Sequence, residues 1–337
     1  MYMPKPLTAR TIGILAAVIT VIIWTSFIVI ARASAVPAHG GTLNPFDLVF
    51  VRLIGAGAIL LPVGWWMVRR DRANQVGASS FFGLSPLSLQ RTVQTGLFGG
   101  SLYAVLAYSG FVYAPAGHAA VLLPGSLPLW TALLAAIILG TRVTSVRALG
   151  LACIVAGGAL VGGASLLRAF DGGGVWKGDL LFLCAALSWS VYSVLVRRYA
   201  LEAVRATAAI TVFAFVLYVP LYTGLLLAGL VPGHLLVAPA GEIAFQMLFQ
   251  GVGSVVISGI TFTRMIQYFG PVRSTMITAL VPGLSALAAV LLLGEPMEWN
   301  LLLGLAMVTV GIVFGVRGVA TPARMVPGVA VSQGRST

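Results

Sequence analysis

PLWTALLAAIILG, residues 128–140, reads as a wholly apolar helix with a proline at its head and a glycine at its foot. It returns 154 residues later as PGLSALAAVLLLG, residues 282–294. The register continues beyond the stretch: Gly150, Leu151, Ala152 and Gly157 match Gly304, Leu305, Ala306 and Gly311. Upstream, Trp24 precedes Arg32 by eight residues, and Trp189 precedes Arg197 by eight, an echo at offset 165. The extra 11 residues fall in one long polar loop of the first half, around residues 69–91. The chain therefore reads as one unit written twice, and internal duplication in an apolar chain points to a transporter.

Composition sets the solvent. Of 337 residues 59% are apolar and only 8% are charged, against roughly a quarter charged in a soluble domain. Such a chain cannot cover itself in water, so its solvent is lipid. Forty glycines suit close helix packing in a bilayer. Cys153 and Cys184 lie inside apolar runs without a metal-ligand neighbour, and read as packed thiols. The formal charge of +12 is scattered between apolar spans rather than gathered on a patch, which argues against nucleic acid.

A run of about 20 apolar residues crosses the hydrocarbon as a helix. Ten such runs are expected, near 11–33, 46–68, 92–113, 117–140, 147–167, 178–199, 206–229, 242–265, 271–293 and 299–317. Lys5, Arg10 and Ala33-Ser34-Ala35 resemble the flanks of a cleaved signal, but the first run exceeds the roughly 7–15 residues of a signal core and stands as the first span. With the N-terminus in the cytoplasm, sixteen of the twenty basic residues fall on the inner side. Arg32, Arg168 and Lys177 fall outside, and Arg52 lies within the second span. This bias supports ten spans with both termini cytoplasmic. Five helices per unit is an odd number, so the second copy enters the membrane from the opposite side. The expected organisation is all-α: a first repeat at 1–167, an outer linker at 168–177, a second repeat at 178–317 and a disordered cytoplasmic tail at 318–337.

These residues resemble the drug/metabolite transporter superfamily, in its EamA-type branch of two five-helix repeats. Trp24 to Arg32, Trp189 to Arg197, Pro128 to Leu139-Gly140 and Pro282 to Leu293-Gly294-Glu295-Pro296 carry the resemblance. The second copy keeps the family's Leu-Gly-Glu ending, while the first has Thr141 where that acid usually stands, so the acid there is expected not to be essential to transport. Within the superfamily the chain is similar to the YddG-type aromatic amino-acid exporters. That similarity implies a multi-pass protein of the bacterial inner membrane that exports hydrophobic and aromatic amino acids.

Candidate site residues follow from depth and spacing. Trp65, Trp66, Trp176 and Trp299 sit where membrane-interface tryptophans belong, whereas Trp24, Trp130 and Trp189 fall mid-span. An indole N–H needs a partner, so these three either line a polar cavity or fill wide gaps between helices. On the eighth span Gln246, Gln250, Ser254, Ser258 and Thr261 recur every three or four residues, one polar face along a helix. The matching face of the third span is small: Thr92, Gly96, Gly100, Ala104 and Ala107. The hydroxyls read as interhelical bonds as readily as cavity lining, while the two glutamines favour a cavity. Ser26 beside Trp24, Ser190, Tyr192 and Ser193 around Trp189, and Tyr103 and Tyr108 complete an aromatic and hydroxylic set. An ammonium over such rings gains up to about 2 kcal/mol. Pro124, Pro128 and Pro282 mark where spans four and nine either simply kink, the commoner meaning of a membrane proline, or open to free backbone N–H groups. The substrate-binding set is thus Trp24, Ser26, Tyr103, Trp130, Trp189, Tyr192, Gln250, Ser254 and Ser258, with neither cofactor nor metal.

No Asp or Glu sits mid-span, and Arg52 is placed to pair with Asp47 at the outer boundary. A proton relay needs a chain of such groups, so the sequence points to facilitated diffusion or exchange. The small-xxx-small faces at Gly158–Gly162 and Gly311–Gly315 serve packing within a monomer, with a dimer as the second reading. Drug or lipophilic-cation efflux stands as a rival. A nucleotide-sugar carrier needs several cations facing the cavity, and a membrane enzyme needs a nucleophile and base or a metal cluster that the sequence does not offer.

Overall fold

The computed structural model describes residues 9–74, 81–278 and 280–317. The tail expected at 318–337, the N-terminal Lys5 and part of the 69–91 loop lie outside the described residues. Those described form helices and no strand. In chain order they are α1 Ala9–Ala35, α2 Pro45–Ala73, α3 Leu89–Tyr113 and α4 Ala116–Leu139, and α5 Ser145–Leu167. Then come α6 Val175–Arg198, α7 Ala203–Leu227, α8 Ala240–Phe269 and α9 Pro271–Leu293, and α10 Trp299–Arg317. Among the described residues nine helices are long and apolar enough to cross a membrane. The apolar part of α10 is shorter, Trp299–Phe314, about 24 Å at 1.5 Å per residue.

Local chemistry sets the boundaries. Asn44 caps α2, its side chain accepting from the Phe46 and Asp47 amides while Asp47 accepts from the Asn44 amide. Glu202 caps α7 by accepting from the Arg205 amide. The glycine at the foot of each echoed stretch is left-handed, φ 66° at Gly140 and 65° at Gly294, where a side chain would be strained.

Two pairs of helices depart from regular α geometry. Helix α4 is interrupted over Leu123–Ser126, where Pro124 removes an amide and Gly125 has no room for a Cβ against the Val121 carbonyl. Helix α9 breaks after Ile277, at Thr278. Helix α3 widens into a π turn at Leu97–Ser101, and α8 does so over Met247–Ile257.

Packing follows a paired pattern. Helix α1 packs on α8 and α9, and α6 on α3 and α4. Helix α2 packs on α7 and α8, and α7 also on α3. Helices α5 and α10 stand to one side, mostly against each other. Their seam is made by the echoed glycines. A Cβ on Gly157 would lie 2.6 Å from the Gly304 carbonyl, one on Gly304 2.8 Å from the Gly157 carbonyl, and one on Gly311 would strike the Gly150 carbonyl. Rising numbers meet falling ones, so the two helices are antiparallel, and Gly311 is used within the chain. Outward faces stay apolar: Ile137 on α4 and Leu291 and Leu292 on α9 are about 70% exposed, as a lipid-facing surface requires.

Candidate functional site

Four helices bring one aromatic cluster to the centre. Trp189 of α6 is buried, and its ring meets Trp24 of α1 edge-on at 5.9 Å, Tyr103 of α3 at 4.8 Å, Tyr192 at 5.1 Å and Phe262 of α8 at 5.5 Å. Trp24 also lies 4.8 Å from Phe262, and its indole N–H donates to Ser258 Oγ at 3.3 Å. Trp24, Tyr103 and Trp189 line a small chamber with Phe27, Pro124 and Val281. The break in α4 forms one of its walls.

Trp189 separates this chamber from a second. Arg52, Ser101, Thr211 and Ser254 line the second beside Gly99, Gly100 and Ala104. Here the π turns take effect. A widened turn displaces side chains from the α-helical rows, and the residues so displaced, Gly99–Ser101 on α3 and Ser254–Val255 on α8, face the second chamber. Gly99 has no Cβ because the Tyr192 ring lies against it.

Arg52 does not pair with Asp47. Asp47, besides capping α2, accepts from the Tyr222 hydroxyl at 2.7 Å and the His234 amide at 3.0 Å. Arg52 instead donates from Nη1 to the Tyr108 hydroxyl at 3.3 Å, and that hydroxyl donates to Gln250 Oε1 at 2.7 Å. The polar face of α8 is thus a seam as much as a lining. Gln246 donates to Ser34 Oγ at 2.7 Å, Thr261 shares a hydrogen bond with Thr20 at 2.8 Å, and Ser258 also donates to the Ser254 carbonyl.

The remaining candidates are scattered. Tyr192 is fully buried behind Trp189, its hydroxyl 3.0 Å from Thr263 Oγ1. Ser26 lines neither chamber. Trp130 lines a separate cavity of 480 Å³ on the flank of the bundle, among residues of α4, α5 and α6. Beside that cavity His118 lies 2.9 Å from Asp179. The residues that sequence reasoning left out are Phe262, Ser101 and Thr211. Nothing in their spacing marks them.

Each central chamber has a volume of about 20 Å³, room for a water and far below the roughly 300 Å³ at the lower limit of ligand pockets. Ion pairs and hydrogen bonds join helices at both ends of the bundle. At the end carrying Asp47 and Glu242, Arg32 Nε donates to Glu295 at 2.8 Å and its Nη1 to the Phe111 carbonyl at 2.7 Å. Glu295 also accepts from the Ala116 amide at 2.8 Å, so one carboxylate joins α1, α4 and α9. Nearby, Arg168 donates to Glu298 at 2.8 Å and holds that carboxyl below its ordinary pKa. At the other end Arg205 of α7 grips both carboxylate oxygens of Asp71 on α2, and Tyr199 donates to Gln94 at 2.7 Å. Arg197 and Thr141, which stand where Arg32 and Glu295 do in the other half, make no such pair.

Among the described residues no three of His, Cys, Asp and Glu come together as metal ligands. Apolar helices long enough to cross a membrane surround a shared aromatic centre. The model of the EamA-like transporter family matches residues 11–163 and 176–317, and the chain belongs to that family, whose members are transporters rather than enzymes. Among solved structures 23 chains match. One, described only as "Crystal structure of protein", is 23% identical, covers 92% of this chain and 97% of its own, and superposes with a TM-score of 0.55; at that identity the similarity speaks for the fold. No curated protein matches.

Proposed function

We propose that this protein exports small amphipathic metabolites, foremost aromatic and hydrophobic amino acids, across a bacterial inner membrane by alternating access. The observation that carries this reading is the convergence of Trp24, Tyr103 and Trp189 from three helices on one central chamber. Rings at those positions give an aromatic side chain faces to stack on. The YddG-type resemblance read from the sequence is part of the same proposal.

Several features support ten spans arranged as two inverted five-helix repeats. The family model matches residues in both halves. The packing of α1 on α8 and α9 has its counterpart in α6 on α3 and α4, and α5 meets α10 through crosswise glycines. Helices α4 and α9 break at corresponding points. Sixteen of twenty basic residues gather on one side if both termini are cytoplasmic. A carrier of this build rocks its repeats about the central site, opening one end and then the other.

The test is efflux from proteoliposomes preloaded with labelled phenylalanine or tryptophan, with and without a pH gradient. Release above that of protein-free liposomes is expected. Transport of lipophilic cations with no release of either amino acid would overturn the assignment and favour drug efflux.

A further inference from the structure

We infer that the second chamber is a subsite for a single carboxylate, with Arg52 as its cation. This rests on the transporter reading above and names which end of the substrate lies where.

Besides the half-buried Ser254 of α8, four side chains on the chamber wall, from α2, α3, α6 and α7, carry hydrogen-bond donors: Arg52, Ser101, Trp189 and Thr211. They are 6%, 8%, 7% and 1% exposed. The Ser101 and Thr211 hydroxyls and the Trp189 indole nitrogen have no partner within the protein. Arg52 makes one hydrogen bond, to a neutral phenol, and among the described residues no carboxylate lies within ion-pairing distance of it. A guanidinium within a membrane span and without a counter-ion is costly. Hydroxyls and an indole N–H converging beside it give an oxyanion the contacts it needs. Tyr108 and Gln250 hold the guanidinium in place from behind through their two hydrogen bonds.

One cation, rather than the several that a phosphate ester would need, suits a single negative charge. Across Trp189 lies the apolar chamber of Trp24, Phe27 and Tyr103. Once opening of the carrier widens both chambers, which as they stand hold no more than a water each, a substrate spanning them places its ring in the first and its carboxylate in the second. The same guanidinium repels a bare organic cation.

Three probes share a ring and differ in charge: phenylalanine, 3-phenylpropanoate and 2-phenylethylamine. In proteoliposomes of the unaltered protein, 3-phenylpropanoate should compete with labelled phenylalanine at least about tenfold better than 2-phenylethylamine, the effect of one charged hydrogen bond. In Arg52→Gln that preference should vanish, and Arg52→Lys should restore part of it. Equal competition by acid and amine in the unaltered protein overturns the subsite and leaves amino-acid export standing. That measurement does not depend on any variant folding. If phenylalanine is not carried at all, the export reading fails. Quenching of tryptophan fluorescence by 3-phenylpropanoate in detergent then decides the subsite: saturable binding lost in Arg52→Gln and partly kept in Arg52→Lys supports it, and no binding, or binding unchanged in Arg52→Gln, overturns it.

Discussion

Trp189 touches four aromatic rings and walls both chambers, so a change there reads on packing and on transport together. Trp189→Ala should lower phenylalanine efflux at least tenfold, while a cavity of that size costs about 3–5 kcal/mol of stability. Size exclusion and thermal unfolding in detergent separate the two effects. Trp189→Phe keeps most of the packing, and if it transports normally the indole N–H has no part in binding. The sequence revealed this residue through its echo with Trp24. It did not place Ser26, because two residues along a helix turn the side chain through about 200°. Nor did depth alone place Trp130, which is mid-span but faces the flank. Arg52 was visible as the lone mid-span charge. Its partner was misjudged because Asp47 lies five residues away, off the three- and four-residue spacing at which helical side chains meet, and is already engaged by Tyr222 and the His234 amide.

Helices carry their own signals with uneven clarity. Pro124 told where α4 bends, and the foot glycines of the echoed stretches told where α4 and α9 stop, whereas α9 breaks at Thr278, four residues ahead of Pro282. The π turns left no such mark. Polar residues four apart suit an α-helical face and a widened turn alike, so the sequence could not say which residues of α8 turn toward a chamber and which toward α1. The glycines of α5 and α10 gave a pattern with two uses, and the observed contact of Gly311 with Gly150 lies inside the chain. Gly304→Val should therefore push α5 and α10 apart and cost about 1–3 kcal/mol, seen as a lower midpoint of thermal unfolding in detergent. An unchanged midpoint would mean that this seam contributes little to stability.

At the scale of the molecule, charge bias predicts the orientation. Green fluorescent protein fused after Thr337 should fluoresce and alkaline phosphatase fused there should be inactive; the reverse result would place the C-terminus outside. The Arg32–Glu295 pair predicts how one end opens. Ala116 is buried beside it, so a cysteine at 116, with Cys153 and Cys184 replaced, reports opening by its rate of maleimide labelling. Glu295→Gln should raise that rate several-fold by removing the charge that joins three helices. An unchanged rate would show that the pair does not hold this end shut.

That pair has no counterpart at Arg197 and Thr141. For a carrier that opens at each end in turn, the two open forms therefore differ in free energy although the halves share a pattern. Such a difference cannot drive net flux between equal concentrations, since detailed balance fixes the product of the rates around the cycle. It sets instead the face at which the unloaded protein waits, and hence unequal half-saturation concentrations on the two sides of the membrane. The gradient gives the direction of travel, while the unequal ties at the two ends, Arg32–Glu295 at one and Arg205–Asp71 at the other, decide how much substrate each compartment must hold before the carrier responds.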